Sequence, residues 1–249
     1  MKIETSLRIG IVAGFILLIE GLCRFGVIPY NVMIPPSEMA TSLKDILVSG
    51  EFTADILSSL RNVVSAALLS VVLGFTAGVI IHAMPAFRSA LEPYLSSYYA
   101  VPTFMFYPVF IILFGVGDRA IIAIAVLLAI VAMITATLNG LDRIPHVFRR
   151  TGRMFRMSPA KSALMISLPA AAPYLFTGVK LSVAYAFIGV IASEFILSGS
   201  GLGYAISYAY NNFNNRTMYA LMLLILVLVV VVNGTLDAID RRLQARRQR

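Results

Sequence analysis

Few side chains in this sequence have the types and spacing that covalent chemistry needs. Its two histidines, His82 and His146, are isolated from each other, and its single cysteine, Cys23, has no partner for a disulfide or a metal site. The sequence also lacks a G-x-x-x-x-G-K-[ST] run, the loop that cradles ATP phosphates in a large class of ATPases. We therefore expect a chain that is not an enzyme and that itself binds neither a metal nor a cofactor.

The side chains whose spacing indicates binding lie instead in a basic loop, residues 144–169, between two apolar runs. An amphipathic helix is predicted in its first half. Ser158 is a good N-cap and Pro159 a good first residue for a second short helix, which we expect Leu168-Pro169 to end. A helix–turn–helix of this kind indicates a surface that another protein grips. In the alternative interpretation, the arginines only fix the topology and contact anionic lipid.

The composition and the long apolar runs predict a membrane protein. The chain has 249 residues, of which 59% are hydrophobic and 13% charged. Its net charge of +8 does not indicate nucleic-acid binding, because the basic residues lie mostly in loops and in the C-terminal tail. A bilayer core of about 30 Å needs roughly 20 helical residues. Six runs meet this length, at about residues 7–27, 56–83, 95–114, 120–138, 174–197 and 218–239.

The distribution of lysine and arginine predicts the orientation of these runs. If the N-terminus lies inside, the inward segments hold Arg88, the basic loop and the arginines after residue 240, whereas the outward loops hold only Lys44, Arg119 and Arg216. Basic residues concentrate in short cytoplasmic loops. We therefore expect an all-α polytopic membrane fold with about six transmembrane helices and both termini in the cytoplasm.

Among the charged residues within the apolar runs, Glu194, Lys180 and Glu20 need partners most, since a charge near the bilayer centre costs about 2.5–3.5 kcal/mol on insertion scales. Glu194 is predicted to hold the turn at Ser198–Gly203 by accepting backbone N–H bonds, or to shape an outer gate. A direct contact with solute is the alternative. Lys180 lies about 21 Å away along a helix, too far to pair with Glu194, and is expected to extend its amine to the membrane surface. Glu20 is expected to be satisfied by a neighbouring helix.

The third apolar run contains two prolines, Pro102 and Pro108, which remove backbone hydrogen bonds within the membrane. Such breaks are tolerated where a helix lines a cavity or packs on protein. The residues between the prolines are mostly aromatic and include Thr103, Phe104 and Phe106. One interpretation is a translocation lining past which a flat or amphipathic solute slides, and ordinary packing between helices is the alternative.

A glycine-rich turn, which contains Gly201 and Gly203, precedes the last apolar run. It is predicted to re-enter the outer half of the membrane and to lead into a short helix at 204–210 over the mouth of a pathway. The asparagines of 211–215 then form a polar outer surface, which is either a contact for a binding protein or a solvated loop.

The order of these features resembles the membrane-spanning permease subunit of ATP-binding-cassette importers, in particular the nitrate/sulfonate/taurine-type branch. The resemblance covers nearly the whole chain and rests on IPPSEMATSLKDILVSGEF, SLRNVVSAALLSVVLGFTAGVII, AVPTFMFYPVFIILFGVGDRAIIAIA, SLPAAAPYLFTGVKLSVAYAFIGVIASEF and GSGLGYAI, with a last helix that ends in DRRL. It implies one permease domain over residues 1–249, composed of a first helix and outer segment (1–55), a core (56–240) and a basic cytoplasmic tail (241–249).

In such permeases the cytoplasmic loop between the fourth and fifth helices carries an EAA motif, Glu-Ala-Ala followed by a glycine and an Ile-x-Leu-Pro ending. Ile166, Leu168 and Pro169 match the ending, whereas the glycine position falls on Arg156 and the Glu-Ala-Ala falls on residues 150–152. This departure suggests a dedicated ATPase with a more acidic docking cleft. The resemblance assigns ATPase coupling to Arg150, Thr151, Gly152, Arg153, Arg156, Met157, Ser158, Pro159, Lys161, Leu168 and Pro169.

The resemblance also implies the partners. They are a second copy of this chain, two ATP-binding subunits that hold ATP and Mg²⁺, a soluble or lipid-anchored substrate-binding protein, and the lipid of the bacterial inner membrane. The pathway would then lie between the two copies. The residues expected to form it are Pro102, Thr103, Phe104, Phe106, Pro108, Glu194, Gly201 and Gly203.

The resemblance leaves the solute open among nitrate, sulfonates, taurine, aromatic carboxylates and the pyrimidine precursor of thiamine, of which we expect a small organic anion or a vitamin-precursor-like molecule. The aromatic third run favours a ring-bearing solute over nitrate. Two alternatives to an importer are an ion-coupled secondary transporter and a membrane scaffold or assembly protein. The first would need coupling-ion carboxylates and usually inverted repeats, neither of which is evident in the sequence.

Overall fold

The chain folds into helices joined by short turns. The computed structural model describes the backbone of residues 2–247, and the side chains of these residues except 2–5, 8, 9, 149, 153, 159, 160 and 243–247. The described part contains no strand, which confirms the all-α prediction. Its α-helices are α1 (Lys2–Arg24), α2 (Pro36–Ser49), α3 (Thr53–Ala83), α4 (Pro85–Ser97), α5 (Tyr107–Phe114), α6 (Asp118–Asp142), α7 (His146–Met154), α8 (Pro159–Ser162), α9 (Leu168–Leu197), α10 (Leu202–Asn211) and α11 (Asn215–Arg247).

Four helical segments among the described residues are long and apolar enough to span a membrane. They are Thr53–Ala83, Asp118–Asp142, Ala163–Leu197 and Asn215–Arg242, and a bent pair of shorter helices makes a fifth if it is taken as one span. Helix α1 covers most of the predicted first run. Multiple apolar spans are therefore confirmed, whereas the count of six and the cytoplasmic location of both termini stay predictions.

The third predicted run, residues 95–114, is not a straight helix. One arm, Pro85–Ala100, meets the other, Thr103–Phe114, at an angle of 96°. Between the arms, Val101 and Pro102 have extended backbones with ψ of 119° and 102°. Pro102 explains the break, because proline has no N–H for a helical hydrogen bond and disfavours helical angles in the residue before it.

The expectation that Leu168-Pro169 ends the second loop helix is wrong. A π-helical turn at Ala163–Ser167 connects α8 to α9, and the Leu168 N–H donates to the Ala163 carbonyl, five residues earlier. Pro169 lacks the N–H that would continue an α-helical ladder, and the π-turn directly before it replaces the α-helical hydrogen-bond pattern there. The basic loop is consequently continuous with the long helix that follows it.

The helices form two units, of which the larger comprises residues 59–193 and 229–249. Its core contains small side chains, so that helices approach closely. A Cβ added to Gly74 would lie 2.7 Å from the Cβ of Met133, and one added to Gly189 would lie 2.7 Å from the Cα of Ala125. The buried residues of the main cluster are Val63, Ala66, Ala67, Ile121, Ala125, Ala129, Ala186, Phe187 and Val190.

Charged side chains in the spans of this unit are paired across helices. Lys180 of α9 forms an ion pair with Asp237 of α11, a partner that the sequence did not indicate, and the expectation that its amine reaches the membrane surface stays a prediction. Arg61 of α3 pairs with Asp118 of α6. Arg88 of α4 makes two hydrogen bonds to the Asp142 carboxylate, of 2.7 and 2.5 Å. Pairing reduces the cost of burying a charge between helices, wherever along the membrane normal each pair lies.

The other unit comprises residues 1–58 and 194–228. Here the Glu20 carboxylate accepts hydrogen bonds from the backbone N–H of Ser37, at 3.0 Å, and from its hydroxyl, at 2.7 Å. It also pairs with Arg24 at 2.6 Å. Because Ser37 belongs to α2, the expectation that a neighbouring helix satisfies Glu20 is confirmed. The hydroxyl of Tyr219 donates to the carbonyl oxygen of Val32 at 2.6 Å.

Candidate functional site

The basic loop is a packed element in which two short helical segments touch. Gly152 of α7 is buried, and a Cβ added to it would lie 2.8 Å from the Ser162 hydroxyl oxygen and 3.3 Å from a methyl carbon of Ile166. The Ser158 hydroxyl accepts a hydrogen bond from the Lys161 N–H at 3.3 Å, which confirms the predicted N-cap. Glycine at position 152 is therefore the residue that lets α7 approach the π-turn.

Arg156 occupies the turn between these segments with a positive φ of 48°. Residues other than glycine rarely adopt this left-handed conformation. The position is the one at which the EAA pattern places a glycine. Arginine thus takes a backbone conformation that glycine adopts more easily, and the Met157 N–H still closes the turn by donating to the Gly152 carbonyl at 3.0 Å.

The outer face of the basic loop combines cations with exposed apolar side chains. Arg150, Arg156 and Lys161 are exposed, and Met154 is 83% exposed. Thr151, Met157 and Leu168 are half-buried and Pro169 is exposed, while the side chains of Arg153 and Pro159 lie outside the described part. An open groove of about 470 Å³ is lined by Phe148, Thr151, Met165, Ile166, Pro169 and Ala170.

The broken third span brings aromatic side chains together around its bend. Phe104, Phe106 and the two prolines, Pro102 and Pro108, are exposed, whereas Thr103 is only 4% exposed. The backbone of residues 98–106 forms two short 3₁₀ helices, Tyr98–Ala100 and Thr103–Phe106, separated by extended residues. The role of these residues in a pathway stays a prediction.

Sequence reasoning missed one aromatic partner of this bend. The rings of Tyr99 and Tyr185 are stacked, with centroids 4.9 Å apart and planes 18° from parallel. Tyr185 lies in α9, far along the chain, and no local pattern connects it with Tyr99. The hydroxyl of Tyr98 donates a hydrogen bond to the carbonyl oxygen of Leu127 in α6 at 2.8 Å, which fixes the bend to that helix.

The glycine-rich turn is held by two carboxylates of its own unit. Glu194 is 0% exposed and accepts a hydrogen bond from the Gly203 N–H at 3.2 Å. This contact confirms that Glu194 accepts a backbone N–H bond of the turn. Asp55, in the first turn of α3, accepts a second one from the Gly201 N–H at 2.8 Å. Sequence reasoning missed Asp55, which lies 146 positions from Gly201.

The described residues contain no cluster of His, Cys, Asp and Glu suited to a metal ion. The comparisons with known proteins agree with a transport role. A family model for the binding-protein-dependent transport system inner membrane component matches residues 70–247. The chain belongs to this family. It is therefore a multi-pass inner-membrane protein and a permease subunit of an ABC importer.

Similar proteins place the chain within one branch of the family. A probable ABC transporter permease protein of Brucella melitensis is 26% identical over 213 residues, 85% of this chain and 87% of that protein. The nitrate import permease NrtB of Leptolyngbya laminosa is 29% identical over 160 residues, 64% of this chain and 57% of that protein. The bicarbonate transport permease CmpB of Synechococcus elongatus is 26% identical over 155 residues, 62% and 56% of the two chains. The resemblance to the nitrate/sulfonate/taurine branch is confirmed.

The fold is also that of solved permeases. The MetNI methionine ABC transporter in an inward-facing conformation is similar with a TM-score of 0.68 and 19% identity, over 77% of this chain and 95% of that chain. An amino acid ABC transporter is similar with a TM-score of 0.59 and 12% identity, over 82% and 97% of the two chains. At these identities the likeness concerns the fold.

Proposed function

We propose that two copies of this permease form a solute pathway at their interface and that the basic loop of each copy docks onto a separate ATPase subunit. ATP and Mg²⁺ would be held by those subunits, and this chain would carry out no hydrolysis. A substrate-binding protein would deliver the solute, a small organic anion or a vitamin-precursor-like molecule.

The observation that carries the proposal is the irregular backbone around residues 98–106. Lipid cannot satisfy free N–H and C=O groups, so non-helical backbone within a membrane occurs where protein or a water-filled cavity covers it. Most side chains of this segment are exposed in the single chain. A second copy, and an aqueous pathway between the copies, would provide the cover.

The composition of the basic loop supports docking onto another protein. Its exposed apolar groups, of which Phe155 and Met165 are examples, gain stability when they are buried against a partner. Its cations favour a partner with acidic side chains. Because the π-turn continues directly into α9, displacement of the loop by an ATPase would move a membrane-spanning helix.

Purification of the tagged chain from its native membrane tests the assembly. The expected result is a complex of two copies of this chain and two ATP-binding subunits, with ATPase activity, as measured by native mass and by an ATP hydrolysis assay. A chain that purifies without any ATPase, under conditions that keep other importers of this class intact, would contradict the proposal.

Charge reversal in the basic loop tests where the ATPase docks. Arg150→Glu should lower the recovery of the ATPase subunit by about tenfold, which corresponds to about 1.4 kcal/mol of binding free energy. Lys44→Glu in α2 is the matched control, because Lys44 is also exposed but lies in the predicted outer segment. Unchanged recovery with Arg150→Glu would show that the loop does not dock through this charge.

A further inference from the structure

We propose that Tyr99 and Tyr185 form a stacking site for a flat heteroaromatic ring of the transported solute, an inference that rests on the proposed pathway along the third span. The two rings are 4.9 Å apart and 18° from parallel, and aromatic rings stack favourably at separations of about 4.5–7 Å. Tyr99 is still 41% exposed, so the pair lies at the surface of the single chain, where a third ring can reach it.

The pair is held in place before any solute binds. Tyr185 packs against the buried cluster that α3, α6 and α9 form. Within the same arm of the broken span, the ring of Tyr98 lies edge-on to Tyr99, with centroids 6.0 Å apart and planes at 84°, and its hydroxyl donates a hydrogen bond to the Leu127 carbonyl. A preorganised surface loses little conformational freedom on binding. The two rings therefore form a fixed platform at the bend.

The surroundings of the platform disfavour a small inorganic anion and favour a ring. Residues 93–117 contain no charged side chain, and the exposed groups beside the bend include Phe104, Met105 and Phe106. The faces of aromatic rings carry negative potential, and an anion that leaves water needs cationic or N–H partners. An electron-poor flat ring, such as a pyridine or pyrimidine, instead gains both contact area and favourable electrostatics from these faces.

Tryptophan fluorescence provides a direct test, because the chain contains no tryptophan. Tyr99→Trp would keep an aromatic ring at the site and introduce a single reporter into the full-length chain in proteoliposomes. The probe is nicotinamide, a flat uncharged pyridine, and cyclohexanecarboxamide is the saturated control. Tyr94→Trp is the matched control variant, since Tyr94 is 74% exposed and lies in the same arm of the broken span.

We expect nicotinamide to quench the tryptophan fluorescence of the Tyr99→Trp variant in a saturable manner. The Tyr94→Trp variant should show no saturable quenching, and cyclohexanecarboxamide should quench neither variant. Adding Tyr185→Leu should weaken the binding of nicotinamide by about 2- to 12-fold, the contribution of one aromatic pair. The stacking site would be wrong if the fluorescence of both variants fell linearly and with equal slope as nicotinamide is added. It would also be wrong if nicotinamide did not quench the Tyr99→Trp variant at all.

Co-purification of the ATPase subunits with the Tyr99→Trp variant separates the two proposals. If the ATPase co-purifies and nicotinamide does not bind, the importer assembly stands and the stacking site is wrong. If no ATPase co-purifies with either this variant or the unmodified chain, the importer assembly itself is wrong, and with it the pathway on which the stacking site depends.

Discussion

Substitution of Gly201 by alanine should destabilise the permease strongly, although it adds a single methyl group. Gly201 has φ of +96° and ψ of 168°, a backbone region that is essentially confined to glycine. An added Cβ would lie 2.5 Å from the carboxyl carbon of Glu194 and 2.6 and 2.7 Å from its two oxygens. Glu194 is buried and its carboxylate accepts the Gly203 N–H, so moving it away from an added methyl group would disturb that hydrogen bond.

The magnitude follows from two separate costs. A residue other than glycine in this backbone region costs about 1–3 kcal/mol. Overpacking of a buried site by one methyl group costs about 1–3 kcal/mol. Their sum, about 2–6 kcal/mol, should lower the melting temperature by roughly 10 °C for a chain of this length. Gly199→Ala is the matched control, because no atom lies within 4 Å of its added Cβ.

Thermal unfolding of the detergent-solubilised chain, followed by size-exclusion chromatography of the surviving fraction, measures both variants. Gly199→Ala should unfold within a few degrees of the unmodified chain. Introducing Glu194→Ala into the Gly201→Ala variant should cost less than the two single effects combined, because the steric conflict disappears. Equal melting temperatures for the two glycine variants would refute the packing of this turn against Glu194.

Three further predictions concern packing, charge and backbone strain. Gly189→Ala should cost about 2 kcal/mol in a thermal unfolding assay, because its Cβ would lie 2.7 Å from the backbone of α6, whereas Gly234→Ala, with no atom within 4 Å, should be neutral or slightly stabilising. Lys180→Asp should reduce the yield of monodisperse protein in size-exclusion chromatography, and adding Asp237→Lys should restore it by rebuilding the ion pair. Arg156→Gly should raise the melting temperature, because glycine avoids a left-handed backbone cost of about 1 kcal/mol. Equal melting temperatures of the two glycine variants would contradict the close packing at Gly189, and an unrestored yield would contradict the Lys180–Asp237 pair. An unchanged melting temperature with Arg156→Gly would contradict strain at position 156.

The features that the sequence predicted correctly are those whose physical cause is local. Long apolar runs predict spanning helices because a bilayer requires a minimum length. Pro102 predicts a break because it lacks an N–H, and Ser158 predicts an N-cap because its hydroxyl can reach a free N–H two or three residues later. The hydrogen bond that the Gly203 N–H donates to Glu194 was also predictable, since the two residues are only nine positions apart.

The features that the sequence did not predict depend on contacts between distant segments. Lys180 finds Asp237, 57 positions away, and Gly201 finds Asp55, 146 positions away. Nothing in the neighbouring sequence specifies these partners. The partnership of Tyr99 with Tyr185 is of the same kind, because it depends on how the bent span packs against α9. Local sequence therefore indicates which groups need a partner, whereas the tertiary packing decides which partner they obtain.

Two departures of the basic loop from the EAA pattern, at positions 152 and 156, coincide with unusual local geometry. Position 152, where the pattern has alanine, holds glycine, and a Cβ there would require the Ser162 hydroxyl, 2.8 Å away, to move. Position 156, where the pattern has glycine, holds arginine, and the backbone keeps the positive φ that glycine would adopt. The loop thus forms a left-handed turn at an arginine, at the cost of local strain, and this arginine adds a cation to the exposed surface. An exposed cation added at this turn is consistent with the proposed docking of the loop onto a partner with acidic side chains.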